Sequence, residues 1–344
     1  RKYDADKKAW KKIASRKMSK PSCKFSELET GEAYKVMVRY CKLVNDKTFL
    51  GDFSSSVKVG TNPNKPVISY AAKTGSSTMK VTWAAISGSA TGYEIQYSRN
   101  SDFSGSKIKT VKGVTTTSAN ISDLYDASYY ARVRAYKTVD GTRYYSAWSS
   151  SVSTYYSNVY ASYTTTYNSG NYNRTTNLQL ATRAINGTII QPGGIFSFNG
   201  VVGERTAAKG YKEAIIYEGG REVGGIGGGI CQIATTMFNA ALKANFGIVE
   251  RYQHSLTVHY VPYGYDAAIA WGSKNFRFSN NCGYPIKIEA SASGGYLSIK
   301  YLTNVYKKPP AVTTKVTVSN KVYTLKRYVD GVCNYTTTSK YQDL

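Results

Sequence analysis

The chain has 344 residues, with 45 Lys and Arg against 21 Asp and Glu, 32 Tyr, and a formal net charge of +24. That length allows two or three domains with sizeable cores, and no apolar run of about 18 residues is present to span a membrane as a helix. The basic residues are scattered, without the Arg-rich clusters or aromatic signatures of nucleic-acid readers, so nucleic acid is not expected as a partner. Anionic cell-envelope polymers are, with a merely basic soluble surface as the alternative.

The chain starts at Arg1 with no Met and no signal peptide, and an upstream leader or anchor stays open. Residues 1–62 and 63–157 then hold an internal repeat. "YKVMVRYCKLVNDKTFLGDFSSSV" (34–57) aligns with "YYARVRAYKTVDGTRYYSAWSSSV" (129–152) at a constant offset of 95, with nine of 24 positions identical. Both copies alternate apolar and polar residues, turn at "VND" or "VDG", and alternate again, the pattern of a hairpin. In the second copy "MKVTWAA" (79–85) and "GYEIQYS" (92–98) supply earlier strands, making about seven short strands in ~90 residues, as in a two-sheet sandwich. With Trp83, Leu124 and Tyr129 this segment resembles fibronectin type III modules, which usually act as spacers. The first copy lacks the opening strands and reads as an N-terminally truncated module, with more chain expected before it.

Residues 158–171, rich in Tyr, Ser and Thr, read as a linker. From 172 to 305 an α+β domain is expected. Asn173 is the expected cap of a helix carrying Leu178, Ala181 and Ile185, which stops at Asn186-Gly187. "TIIQPGGIFSF" reads as strand, turn, strand. A second helix over 231–245 puts Ile233, Met237, Ala240, Ala241 and Ala244 on one face. The text then turns β again through "SLTVHYVP", "AAIAWG", "FRFSN" and "YPIKIEASASGGYLSIKYL". Residues 306–344 read as a closing hairpin around Asp330-Gly331. The expected fold class is thus multidomain: all-β fibronectin type III-like sandwiches followed by an α+β domain.

The chemistry concentrates around "GGIGGGICQIATT" (224–236), where five glycines in six positions lead to Cys231 at a helix start. Unpaired N–H groups there push a thiol toward thiolate and can hold an oxyanion. Glycines before the sulfur let a substrate backbone approach, so Gly227, Gly228, Gly229 and Ile230 are the expected substrate-binding stretch. The alternative is a small buried cysteine and glycines that serve close packing. The sequence contains two histidines, His254 and His259. If "HSLTVHYV" is a strand, they lie on opposite faces and at most one meets the sulfur. Asp266 follows His254 by 12 residues at the start of the next expected strand. Cysteine, histidine and acid in this order resemble transglutaminase-like and papain-like thiol enzymes, at shorter spacing. No CxxC or HExxH motif occurs, and neither a metal site nor a cofactor is expected.

"PGGIFSFNGVVGERTAAKGYKEAIIYEGG", "GGGICQIATTMFNAAL", "ERYQHS" and "YVPYGYDAAIAWGSKNFRFSN" appear in order, and together they resemble the VanW family, named from a vancomycin-resistance gene cluster. The resemblance covers about 172–302. It implies a secreted or surface-attached, mostly Gram-positive bacterial protein associated with the cell wall. Its motif blocks contain Cys231, Gln232, His254 and Asp266, which form the candidate catalytic set. Cys282 stands where the pattern leads one to expect Thr or another small polar residue, which suggests a local disulfide. Pairings of Cys282 with Cys333 and of Cys23 with Cys41 would leave Cys231 as the odd thiol. Two functions stay open. One is a thiol hydrolase or acyltransferase acting on peptidoglycan peptides. The other is a non-catalytic cell-wall or glycopeptide-binding module whose loop and helix start bind an anion through backbone N–H groups. A structural part in a surface fibre is a third.

Overall fold

The offset-95 repeat has a structural counterpart at the level of single hydrogen bonds. In the computed structural model, which describes residues 1–4, 8–218, 220–305 and 308–342, the chain divides into two units, Arg1–Tyr155 and Tyr156–Leu344. The first unit begins with β1 (Lys2–Asp4), β2 (Ala9–Lys11), β3 (Ala33–Val36), β4 (Cys41–Val44), β5 (Lys47–Leu50) and β6 (Val57–Gly60). It continues with β7 (Ile68–Gly75), β8 (Thr78–Trp83), β9 (Gly92–Ser98), β10 (Lys107–Lys112), β11 (Ser118–Ile121), β12 (Tyr130–Val139), β13 (Thr142–Tyr145) and β14 (Val152–Ser153).

In the second half of this unit, a sheet ordered β11-β8-β7 faces one ordered β10-β9-β12-β13, with β14 added to β12. Between them lies a core of Met79, Val81, Trp83, Tyr93, Ile95 and Val133. The Tyr129 hydroxyl accepts a bond from the Tyr125 N–H (3.1 Å), the tyrosine corner of such sandwiches.

The first half keeps the same local pairing. Cys41↔Leu50 and Val36↔Val57 are Tyr136↔Tyr145 and Ala131↔Val152 moved by the offset. The Val38 N–H donates to Ser54 Oγ at 3.1 Å, as Val133 does to Ser149 at 3.0 Å. The Tyr34 hydroxyl accepts from the Glu29 N–H at 2.9 Å. Burial differs: Val133 is 0% exposed and Val38 57%. The first copy is therefore a hairpin and a sheet ordered β2-β1-β3-β6, without a facing sheet among the described residues. The sequence predicts for 1–62 a module lacking its opening strands, and among the described residues this stretch shows the one layer.

The second unit opens with a correction. The expected linker is mostly a nine-residue strand, β15 (Asn158–Thr166), with Tyr160, Ala161 and Thr165 buried. Its Tyr and Thr favour strands and burial alternates from Ala161 onward, so composition alone misled. The other elements are α1 (Tyr172–Ile185), β16 (Ile189–Ile190), β17 (Ile195–Ser197), α2 (Phe198–Val202), β18 (Glu213–Glu218), β19 (Arg221–Ile226), α3 (Cys231–Lys243), β20 (Gly247–Glu250) and β21 (Arg277–Ser279). They are followed by β22 (Ile286–Ser293), β23 (Tyr296–Thr303), β24 (Val312–Ser319), β25 (Val322–Val329) and β26 (Val332–Lys340).

An antiparallel sheet ordered β15-β23-β22-β16 carries α1 and α3, and β17-β21-β20 forms a second sheet. Helix α1 is capped by Asn171, whose side chain accepts from the Arg174 N–H at 3.1 Å, rather than by Asn173. Asn173 instead donates to the Glu213 carbonyl (2.9 Å), tying α1 to the β18–β19 hairpin. Helix α3 is buried on every side from Gln232 to Leu242. Burying its Ile233, Met237 and Phe238 contributes roughly 1.5–3 kcal/mol each, and this fixes the helix whose first residue is Cys231. The C-terminal segment is a three-stranded sheet, β24-β25-β26, rather than a hairpin, though Asp330-Gly331 does make its second turn. The expected start of that segment, residues 306 and 307, lies outside the described residues.

Candidate active site

Residues 251–274 decide the site, and they are not the strands that alternation predicts. Only two isolated bridges occur, Tyr252↔Ala268 and Ala270↔Lys274. His254, Leu256 and Val258 are nonetheless buried and His259 is exposed, so the period-two burial survives without ladder bonds. The segment is an irregular strap over the start of α3. Thr235 pins it there, accepting from the Ala267 N–H at 2.9 Å and donating to the Ala267 carbonyl at 3.2 Å.

Asp266 sits in that strap with no exposed surface. One carboxylate oxygen accepts from the His254 backbone N–H (2.7 Å) and lies 2.7 Å from His254 Nδ1. The other accepts from Arg251 Nη2 at 2.9 Å and from the Tyr341 hydroxyl at 2.7 Å. Against burial, which alone would raise it, bonds from His254 and the nearby Arg251 hold this carboxyl down at about 2. The Tyr341 hydroxyl is pushed up by burial and by Asp266, which keeps it a donor.

With Nδ1 committed to Asp266, the other imidazole nitrogen is left for Cys231, with which His254 interacts. Burial works against the charged imidazole, but Asp266 and the sulfur outweigh it and raise His254 to about 9. Burial also pushes the Cys231 thiol up, and here too it loses. His254, the Ile269 N–H at 3.5 Å from Sγ, and Arg205 bring the thiol below its ordinary value. Both shifts favour a thiolate–imidazolium pair, which titrates as a unit. Tyr260, raised by burial and by Cys231, stays neutral beside it, and the Tyr217 ring stands edge-on to the imidazole at 6.1 Å.

Other expected site residues are placed differently. Gln232 is buried and its amide is spent on structure: Oε1 accepts from Arg174 (2.8 Å), and Nε2 donates to Thr165 Oγ1 (3.0 Å) and the Thr166 carbonyl (2.8 Å). Ile230 belongs to the core. A Cβ on Gly228 would lie 2.4 Å from the Ala214 carbonyl oxygen, so the protein's own backbone occupies that approach. The N–H groups of Gly227, Gly228, Ile230 and Gln232 are bonded to the carbonyls of Lys212, Gly225, Gly227 and Gly229, which leaves them unavailable to an anion. Asn177 of α1 clamps the loop by donating to the Gly228 and Lys212 carbonyls at 3.0 and 2.9 Å.

Neither expected disulfide forms. Cys282 Sγ lies 3.0 Å from Asn280 Oδ1, Cys333 turns to the Tyr335 carbonyl, and Cys23 and Cys41 are exposed thiols. No group of three or more His, Cys, Asp or Glu able to hold a metal occurs among the described residues. Arg251, Arg205, Arg174, Tyr260, Asn177 and Tyr341 escape sequence reasoning. Arg251, Arg205 and Tyr260 lie inside quoted motif blocks and had that much signal; Arg174, Asn177 and Tyr341 had none.

Residues 173–302 match the family model "VanW like protein", and residues 65–155 match "Fibronectin type III domain". Residues 173–302 are a VanW-like domain. Over 137 residues the chain is 47% identical to the uncharacterized protein YoaR of Bacillus subtilis, covering 40% of this chain and 45% of that protein. Over 121 residues it is 31% identical to the vancomycin B-type resistance protein VanW of Enterococcus faecalis, covering 33% and 44%. The chain thus spans under half the length of these relatives. Among solved structures, the FN1–FN3 domains of chicken CNTN1 are 20% identical, with a TM-score of 0.27 over 38% of this chain and 45% of that one. A myokine structure is 22% identical, with a TM-score of 0.22 over 27% and 95%. Cys231, His254, Asp266, Arg251, Arg205 and Arg174 all fall within the VanW-like domain, whereas Tyr341 reaches the site from beyond its matched residues.

Proposed function

We propose that the VanW-like domain is a thiol-dependent hydrolase or acyltransferase acting on peptidoglycan peptides at the cell wall, outside the cell, with fibronectin-type residues 63–157 as a spacer. The supporting observation is the Cys231–His254–Asp266 chain, with a carboxylate saturated by hydrogen bonds behind the imidazole. A merely structural cysteine needs no such support. The wall assignment draws on the vancomycin-resistance name of the Enterococcus faecalis relative and on the positive charge of this chain.

In this reaction the Cys231 thiolate attacks a peptide carbonyl carbon and a C–S bond forms. The C–N bond breaks as the His254 imidazolium gives its proton to the leaving amine, and Asp266 holds the ring's orientation. Water, or an acceptor amine, then attacks the thioester, loses a proton to His254, and the thiol is released. Gln232 and Ile230 have no part in the chemistry.

The test is incubation of the full chain with purified peptidoglycan fragments, followed by mass spectrometry. Peptide products gaining one water, or joined to an added amine, are expected. Cys231→Ser and His254→Ala should each reduce turnover by about a thousandfold or more. Equal turnover in Cys231→Ser, or products from sugar-chain cleavage alone, contradicts the proposal.

A further inference from the structure

Two of the loop glycines explain themselves through what lies against them. Gly227 (φ +81°) would bring a Cβ to 3.0 Å from Arg205 Cβ, and Gly229 (φ +97°) would bring one to 2.7 Å from Arg174 Cγ and 3.0 Å from Arg174 Nη1. Both have φ values that side chains resist. The glycine loop just before Cys231 is therefore a cradle for two arginines, Arg205 at Gly227 and Arg174 at Gly229.

Cys231 and Glu204 act on Arg205 electrostatically, but both arginines lack a close carboxylate pair among the described residues. Each is only partly exposed, and neither has a carboxylate partner in an ion pair among the described residues, whereas Arg134, Arg143 and Arg251 do. Arg205 is oriented by neutral acceptors: Nη1 donates to Asn199 Oδ1 (2.7 Å) and the Gly203 carbonyl (3.0 Å). Its guanidinium stands 6.0 Å from the half-exposed Trp271 ring and close enough to Cys231 to act on it electrostatically. Arg174 is held through Nη2 by Gln232 and lies near Tyr217 and Tyr260, the rings beside His254 and Cys231. A partly buried guanidinium without a close carboxylate is incompletely compensated, and planar donor forks match carboxylates.

We infer that Arg205 and Arg174 form a carboxylate-binding subsite at the thiol, and that the substrate class is a peptide with a carboxylate adjacent to the reacting carbonyl. This rests on the thiol-enzyme reading for its substrate, but binding is separable from turnover. Two sources share the chemistry: a free C-terminal α-carboxylate on the leaving residue, or an acidic side chain there. Fixing the carboxylate would orient the reacting carbonyl before attack.

The test uses the full chain carrying Cys231→Ser, so that turnover cannot intervene. N-acetyl-alanyl-alanine as free acid, its C-terminal amide, and N-acetyl-alanyl-glutamate α,C-terminal amide are titrated by NMR. At least one carboxylate-bearing probe should bind about tenfold or more tighter than the neutral amide. Preference for the first acid names the C-terminus as the source, and preference for the glutamyl amide names the side chain. Arg205→Gln and Arg174→Gln should each remove most of that preference. Equal binding of charged and neutral probes in the parent chain, no binding of any, or a preference that survives both arginine variants overturns the inference. Binding that behaves as expected in a protein inactive on every wall peptide would keep the subsite and remove the enzyme.

Discussion

Asp266 is the residue on which the site turns. It has two hydrogen bonds on each oxygen and no exposed surface. Its pairing with His254 makes stability depend on pH with a definite sign. The imidazole is raised from 6.5 to about 9, so its contribution is complete below 6.5 and is lost as pH rises through about 9. The carboxyl is lowered from 3.8 to about 2, so its contribution is complete above 3.8 and is lost as pH falls through about 2. The thiol, also lowered, has the sign of the carboxyl and would mask the alkaline limb. Replacing Cys231 by Ser removes that masking together with the sulfur's share in raising His254, so the limb in a Cys231→Ser chain reports the part that Asp266 holds. Amide hydrogen exchange in α3 should show protection falling from near-neutral to alkaline pH, and His254→Gln should flatten that limb. The same loss with and without His254 would contradict the assignment. At this scale the sequence was informative about reactive atoms and poor about their support. A Cys, a His and an Asp stand out by type, whereas Arg251 and Tyr341 are ordinary residues until folding brings them to one carboxylate.

At the scale of elements, legibility followed the regularity of the backbone. Strand β9 appears where "GYEIQYS" alternates, and α3 begins at Cys231 as the glycine-to-apolar boundary predicts. The strap over residues 251–274 has strand-like alternation without a partner ladder. Its burial was legible and its hydrogen bonding was not, because the bonds go to Thr235, Arg251 and Asp266 rather than to a neighbouring strand. The separation of His254 from His259 survives for the same reason: alternate residues turn inward on any extended segment packed on a core. Residues 158–166 failed in the opposite direction, since a Tyr- and Thr-rich stretch pairs with β23 along nearly its whole length. The glycine loop was legible as a place of close approach. Which atoms approach was not: they are Arg205, Ala214 and Arg174, all distant in sequence.

At the scale of the whole molecule, the repeat was the strongest sequence signal, and it reports local pairing more faithfully than it reports a closed domain. The same hydrogen bonds recur at the offset, but among the described residues the second copy alone has an opposing sheet to bury its valines. The net charge of +24 belongs to the chain as a unit. Adhesion to anionic wall polymers should follow, and it should weaken with salt, because free charges are screened over about 8 Å at physiological ionic strength. Co-sedimentation with purified cell walls should fall steadily as salt is raised. Binding that ignores salt, or no binding at low salt, would contradict an electrostatic attachment.

The central claim is that His254, held by Asp266, activates Cys231, and the rate of Cys231 alkylation as a function of pH tests it most directly. Because Cys23, Cys41 and Cys333 are exposed thiols, labelling by iodoacetamide should be followed on the Cys231 peptide by mass spectrometry. The rate should reach half its maximum below the ~8.5 of a free thiol. His254→Gln should move that midpoint upward and slow the reaction near neutral pH, Asp266→Asn should do so less, and exposed His259→Gln should leave it unchanged. A Cys231 that stays unlabelled in the folded chain, or one whose midpoint is indifferent to His254, contradicts the account.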